Sequence, residues 1–227
     1  MHPASTDFTI GSALRFGWET FKRRPWFFVG ATLILFLALI VTGSITGAID
    51  YAITGSAETS SGVGSLINLA LGTLINMGAT AFSLQAHDDP EGVSLETLWH
   101  PQPFWKFLGA TILVAIVVGL GMLLLIVPGV ILGLMFLFTT YIVIDRERGP
   151  IDTMKDSNAI TRGYKWQLLG FVLVLALVNL AGAMALGVGL LVTVPVTLLA
   201  FAYVYRILSR RADALGVTAP KPADASI

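Results

Sequence analysis

Apolar residues run almost without interruption through six stretches of this chain, 26–48, 63–85, 104–127, 128–144, 166–186 and 188–205. A helix rises about 1.5 Å per residue, so roughly 20 apolar residues are needed to cross a hydrocarbon core about 30 Å thick. The pattern therefore predicts six transmembrane helices, with the fourth and sixth short enough to sit upright, to begin inside the membrane or to draw the bilayer thinner. Two connections are very tight. Pro128 and Gly129 interrupt one apolar run, where proline lacks an N–H but suits the start of a new helix. Gly187 and Gly189 interrupt the other, where glycine accepts the left-handed geometry of a helix end. Each break also reads as a kink in one long helix, but a single helix over 104–144 would run about 60 Å, twice the membrane. Three helical hairpins fit better.

Between the apolar runs lie segments with a helical period. Leu14, Gly17, Trp18 and Phe21 recur on one face while Ser12, Arg15, Glu19 and Lys22 take the other, which predicts an interfacial helix within residues 1–25. Ser94 can cap a short helix carrying Leu95, Leu98 and Trp99, ended by Pro101 and Pro103. Pro150 opens a third, weakly amphipathic segment through Ile151 and Met154 to Arg162 and Gly163. Each elbow leads into a similar phrase: Trp26-Phe27-Phe28-Val29-Gly30, Trp105-Lys106-Phe107-Leu108-Gly109 and Trp166-Gln167-Leu168-Leu169-Gly170. The phrase reads either as a three-fold repeat of elbow plus hairpin, or as what any span entering from the same interface tends to carry.

Composition places this pattern in a bilayer. The chain has 227 residues, of which 55% are hydrophobic and only 12% charged, with a mean hydropathy of +0.80, whereas soluble domains run near 25% charged. Fourteen basic residues balance fourteen acidic ones, so net charge gives no argument for a nucleic-acid partner. Their placement is more telling. With the N-terminus inside, all fourteen basic residues fall on the inner side and only Asp50 and Glu58 on the outer, which the positive-inside rule reads as N-in and C-in in a bacterial cytoplasmic membrane. All five tryptophans fall near the same inner interface. The segment 212–227, rich in Ala, Pro and Asp, is expected to be a disordered cytoplasmic tail. Cysteine is absent and His2, His87 and His100 share no ligand spacing, so neither a metal centre nor another cofactor is expected. The N-terminus lacks a cleavable signal peptide pattern, its basic cluster at Lys22, Arg23 and Arg24 coming late.

No ionisable residue lies at mid-depth in any span, and such groups are what pumps and ion-coupled carriers use. The polar groups that remain are uncharged: Ser44 and Thr46; Asn68, Thr73 and Asn76; Thr139 and Thr140; Asn179; Thr193. The three asparagines are expected to point inward, where an interhelical hydrogen bond contributes roughly 0.6 to 2 kcal/mol. Gly43-x-x-x-Gly47 and Gly129-x-x-x-Gly133 permit close helix approach, within the monomer or between copies. Pro195 should kink the last span, freeing carbonyls for Thr193 or a neighbouring helix to satisfy. No nucleophile elbow or phosphate loop is present in the sequence, and no spaced carboxylate pair lies at membrane depth, so catalytic residues are not expected and the chain reads as a non-enzyme.

Several phrases fall together in order. They are Phe16-Gly17-Trp18-Glu19-Thr20-Phe21-Lys22; Pro128-Gly129-Val130-Ile131; Gly149-Pro150-Ile151-Asp152 with Ser157-Asn158-Ala159-Ile160-Thr161-Arg162-Gly163; Gly187-Val188-Gly189 through Pro195; and Ala202-Tyr203-Val204-Tyr205-Arg206. In these the chain resembles a family of bacterial integral membrane proteins related to the membrane domain of some glycerophosphoryl diester phosphodiesterases. The resemblance implies the all-α membrane fold and not the hydrolase activity, which in those enzymes belongs to a separate catalytic domain. The expected role is a membrane-organising, lipid-contacting or partner-binding module, with a facilitator or channel for a small solute or lipid as the alternative. Membrane lipids, a protein partner or a second copy are the expected partners. The inner elbow over 145–165 is the candidate headgroup surface, with Arg146, Arg148, Arg162 and Lys165 as cations and Ser157 and Thr161, four apart, as hydroxyl donors.

Overall fold

In a computed structural model, which describes residues 8–56, 58–99, 103–185 and 187–218, the chain is all-α, and the described residues contain no strand. Six helical stretches are long and apolar enough to cross a membrane: Pro25–Thr54, Gly62–Asp88, Phe104–Leu124, Ile126–Arg146, Lys165–Met184 and Leu190–Ala214. His2, His100, Pro101 and Leu186 lie outside the described residues.

Helix α1 (Ile10–Arg23) opens with a reciprocal cap, the Thr9 hydroxyl accepting from the Ser12 N–H and the Ser12 hydroxyl from the Thr9 N–H, both at 3.1 Å. Pro25 then starts α2 (Pro25–Thr54), and Gly55, at φ 69°, ends it in the left-handed conformation that glycine adopts without strain. Ser61 caps α3 (Gly62–Asp88) and also ties its start to α2, because Asp50 accepts from both the N–H and the hydroxyl of Ser61. After α3 a short 3-10 turn, Leu95–Trp99, folds back on that helix. The Leu98 carbonyl lies against Gly78, where any Cβ would collide with it, and the Thr97 hydroxyl reaches Gln85.

Helix α4 (Phe104–Leu124) is separated from α5 (Ile126–Met135) by Leu125 alone, which is fully extended at φ −162°, ψ 145°. The break therefore falls three residues before Pro128, which occupies the third position of α5; its missing N–H costs nothing there, since first-turn donors have no intrahelical partner. A second interruption at residues 136–138 precedes α6 (Thr139–Arg146), so the fourth apolar stretch is two helices rather than one. Next come α7 (Pro150–Thr161), α8 (Lys165–Met184) and α9 (Leu190–Ala214).

Several boundaries differ from expectation for one reason: hydropathy stops where polar residues begin, and helices do not. The first span reaches Thr54, about 45 Å of helix. The last runs to Ala214, so the expected tail from Ala212 does not start there. Ala212 is buried, the Val217 N–H bonds the Ala212 carbonyl at 3.1 Å, and Thr218 is buried with its hydroxyl on Asp213. Helix α1 rests on a face rotated slightly from the expected one: Gly17 and Phe21 are buried and Leu14 packs against the core, but Trp18 is exposed and Ala13 and Thr20 are buried in addition. Gly17 meets the Val196 carbonyl of α9 so closely that no side chain fits.

The core has two parts. The larger joins α1, α3, α4, α6, α8 and α9 around Phe107, Phe138, Tyr141, Phe171 and Tyr205; the smaller joins Phe21, Phe28, Phe82, Leu98, Val196 and Leu199. The repeated Trp phrase acquires a common register here. Trp26, Trp105 and Trp166 are each the second residue of their helix and strongly exposed, while the residues two and five further on, Phe28 and Ala31, Phe107 and Ala110, Leu168 and Phe171, are all fully buried.

Candidate functional site

Ser65, Asn68, Gly72, Asn76 and Thr80 are three or four apart and so share one face of α3. That face borders a cleft of about 550 Å³, whose other walls are Phe107 and Thr111 of α4 and Thr140 of α6. The lining carries hydroxyls and amides and no charge. Asn76 turns its amide to the Gly72 carbonyl of its own helix at 2.9 Å, and the Thr73 and Thr80 hydroxyls back-bond likewise, on the Leu69 and Asn76 carbonyls. Asn68 and Asn76 are exposed on this cleft rather than enclosed between helices. A second hollow of about 400 Å³ continues past Thr111 and Thr140 along Val114, Val118 and Gly133, and takes in Thr139, which is fully buried and whose hydroxyl has no hydrogen-bond partner.

Asn179 and Thr193 belong elsewhere. Asn179 donates to the Thr197 hydroxyl at 3.3 Å, and Thr193 packs on Gly182, joining α8 to α9. The hydroxyl beside Pro195 that does bond a carbonyl is that of Thr197, on Val194 at 2.9 Å; the Thr193 hydroxyl is buried without a partner. The four polar residues therefore do not line one cavity.

The elbow residues part company as well. Ser157 and Thr161 are fully buried, and their hydroxyls mend the break between α5 and α6. Ser157 accepts from the Phe138 N–H at 3.2 Å and donates to the Met135 carbonyl at 2.9 Å, which Thr161 also reaches at 3.3 Å. A break in an apolar span strands backbone groups that water cannot reach, and a neighbouring helix supplying hydroxyls is how such a break is tolerated. Neither residue is available to a headgroup. Arg146 is buried too, donating to Ser209 at 2.7 Å and to Asp213 at 2.8 Å. Arg148 pairs with Asp156 at 3.3 Å, where burial outweighs the attraction of the guanidinium and pushes the Asp156 carboxyl above its usual range. Arg162 is exposed and Lys165 half-exposed.

Arg146 is one member of a charged network that sequence spacing does not reveal, because its members come from three helices. Arg206 bridges Asp145, at 2.6 Å, and Asp88; the Tyr205 hydroxyl donates to Asp145 at 2.8 Å; His87 meets Asp88 at 3.0 Å. Together they border a pocket of about 380 Å³ at the ends of α3, α6 and α9. With three arginines against three aspartates the lining is balanced, as a clamp would be. Among the described residues no group of three or more His, Cys, Asp or Glu side chains stands close enough to hold a metal ion.

The architecture and the cleft define an all-α chain with six membrane-length helices and an uncharged polar recess. Comparison with known proteins finds relatives of low identity. The chain is similar to the uncharacterized proteins Rv2560 and MT2637 of Mycobacterium tuberculosis and Mb2590 of Mycobacterium bovis, each 27% identical over 231 aligned positions that cover 92% of this chain and 71% of the relative. No family model matches the chain, and no solved structure matches it.

Proposed function

We propose that the chain is a non-catalytic, multi-pass membrane module, N-in and C-in, that works by contacting lipid, with the α3–α4–α6 cleft as its working surface. One observation carries this: an uncharged hydrogen-bonding stripe, about 22 Å from Ser65 to Thr80 along α3, borders an open cleft instead of packing against a neighbouring helix. Amides and hydroxyls facing hydrocarbon are unfavourable, so the recess suits the ester and glycerol region of a phospholipid, which offers both donors and acceptors without requiring a countercharge. A benzophenone amino acid in place of Gly72, which has open space at its Cβ, should cross-link to phospholipid in the membrane. Cross-linking to a second copy of the chain instead refutes this reading. A second reading, a facilitator for a small uncharged solute, draws on the continuation of the cleft past Thr111 and Thr140. Proteoliposomes would then swell in glycerol faster than protein-free vesicles, and equal rates remove it.

A further inference from the structure

Among the five basic residues of the inner elbow, Arg146, Arg148 and Lys155 have carboxylate partners, Asp213, Asp156 and Asp152. Arg162 and Lys165 have none among the described residues. Lys165 stands instead at the rim of a slot of about 320 Å³ between α5 and α8, whose remaining lining includes Val130, Ile131, Leu134 and Leu169 and is apolar. The strongly exposed indole of Trp166 lines the same slot. Lys165 is also the first residue of α8, and no side chain caps that helix, so the N–H groups of its first turn remain open to an acceptor. An apolar slot, a lysine without a carboxylate partner among the described residues, a tryptophan and uncapped helix donors therefore coincide at one place, and the exposed Arg162 stands three residues before Lys165.

We infer that this slot seats one acyl chain of an anionic phospholipid, with its phosphate held by Lys165, Arg162 and the start of α8. An acyl chain gains by replacing bulk lipid with a fixed apolar wall, and a phosphate oxygen is the acceptor that uncapped helix donors favour. Tryptophan prefers the level where chain meets headgroup. The cations decide between lipids: a zwitterionic headgroup carries its own ammonium and gains less from Arg162 and Lys165 than an anionic one does. This assignment rests on the lipid-contacting reading above but concerns a separate surface with a separate chemistry.

Native mass spectrometry of the full chain in detergent, titrated with phosphatidylglycerol or with phosphatidylcholine of the same chain length, tests it. The unaltered protein should retain phosphatidylglycerol preferentially. Arg162→Gln with Lys165→Gln should cut that preference by about fivefold for each basic side chain removed. Ile131→Trp or Val127→Trp, each filling the slot from an exposed position, should lower retention with both cations in place. Equal retention of the two lipids by the unaltered protein overturns the site, as does an unchanged preference in the double variant. Unchanged retention in both tryptophan variants overturns the acyl slot. Cross-linking from position 72 should persist in the double variant, so loss of slot binding alone leaves the cleft reading standing, and loss of cross-linking alone leaves the slot.

Discussion

Helices α8 and α9 close on each other at their small residues, whereas α3 and α4 share the core at Met77, Ala81, Phe107 and Ala110 but leave a cleft beside Gly72 and Asn76, although each pair carries polar and small residues at helical spacing. In the closed pair Gly182 fits against Thr193 and the Gly189 backbone, and Asn179 finds the Thr197 hydroxyl. In the open pair Gly72 has nothing within 4 Å of where its Cβ would stand, and Asn76 bonds only its own helix. Residue type does not separate these outcomes; what lies opposite does. A glycine or an asparagine is structural where a partner backbone comes within reach, and becomes a functional candidate where none does.

Paired substitutions sharpen this contrast. The largest difference is expected for glycine: Gly182→Leu forces a side chain into Thr193 and the Gly189 backbone and should cost about 3 kcal/mol, while Gly72→Leu should leave the thermal midpoint in detergent unchanged. Equal losses in the two variants would mean that α3 and α4 are closed in the working protein. Serine comes next. Ser157→Ala strands the Phe138 N–H and removes a donor from the Met135 carbonyl, at about 2 kcal/mol, whereas Ser65→Ala at the cleft should be neutral in the same assay. If Ser157→Ala is silent, the break between α5 and α6 is satisfied by something other than α7. The smallest of the three pairs is asparagine, with Asn179→Leu destabilising by about 1 kcal/mol and Asn76→Leu by nothing measurable. A loss at Asn76 would place a hydrogen-bond partner opposite it.

The same contrast explains what could be read from sequence. Six membrane-length helices were legible because hydropathy over about 20 residues answers to one physical demand, backbone satisfaction in hydrocarbon. The polar stripe of α3 was legible in part: Asn68, Thr73 and Asn76 stand out in an apolar run, and the spacing from Ser65 through Gly72 to Thr80 puts them on one face. That this face is open depends on how α4 lies, and no local pattern records it. The elbow misled for a related reason. Ser157 and Thr161 show the spacing of a hydroxyl pair, but their partners are a carbonyl at Met135 and an N–H at Phe138, in a break that hydropathy does not mark. Likewise Arg146 and Arg148 look alike as topology charges, yet one is buried against Asp213 and the other pairs with Asp156.

Titration gives the last and smallest form of the comparison, between an enclosed carboxylate and an open one. Asp156 is buried on α7, and burial raises its carboxyl above the usual range despite Arg148; Glu19 is fully exposed on α1, and its hydrogen bond and charge pairing with Arg15 lower it. The signs follow from linkage. A carboxyl raised by folding binds its proton more tightly in the folded state, so its contribution to stability is greatest in acid and declines as pH climbs through the raised value. A carboxyl lowered by folding contributes above its unfolded value and loses that contribution as pH falls. Thermal midpoints of the unaltered protein and Asp156→Asn, followed from about pH 4 to pH 7, should therefore diverge, with the unaltered protein losing ground to the variant as pH rises. Glu19→Gln, followed instead below about pH 4.5 where the lowered carboxyl titrates, should show the opposite trend and a smaller one, because water screens the exposed pair. A difference for Asp156→Asn that stays flat across its own range would mean that Arg148 fully offsets the burial.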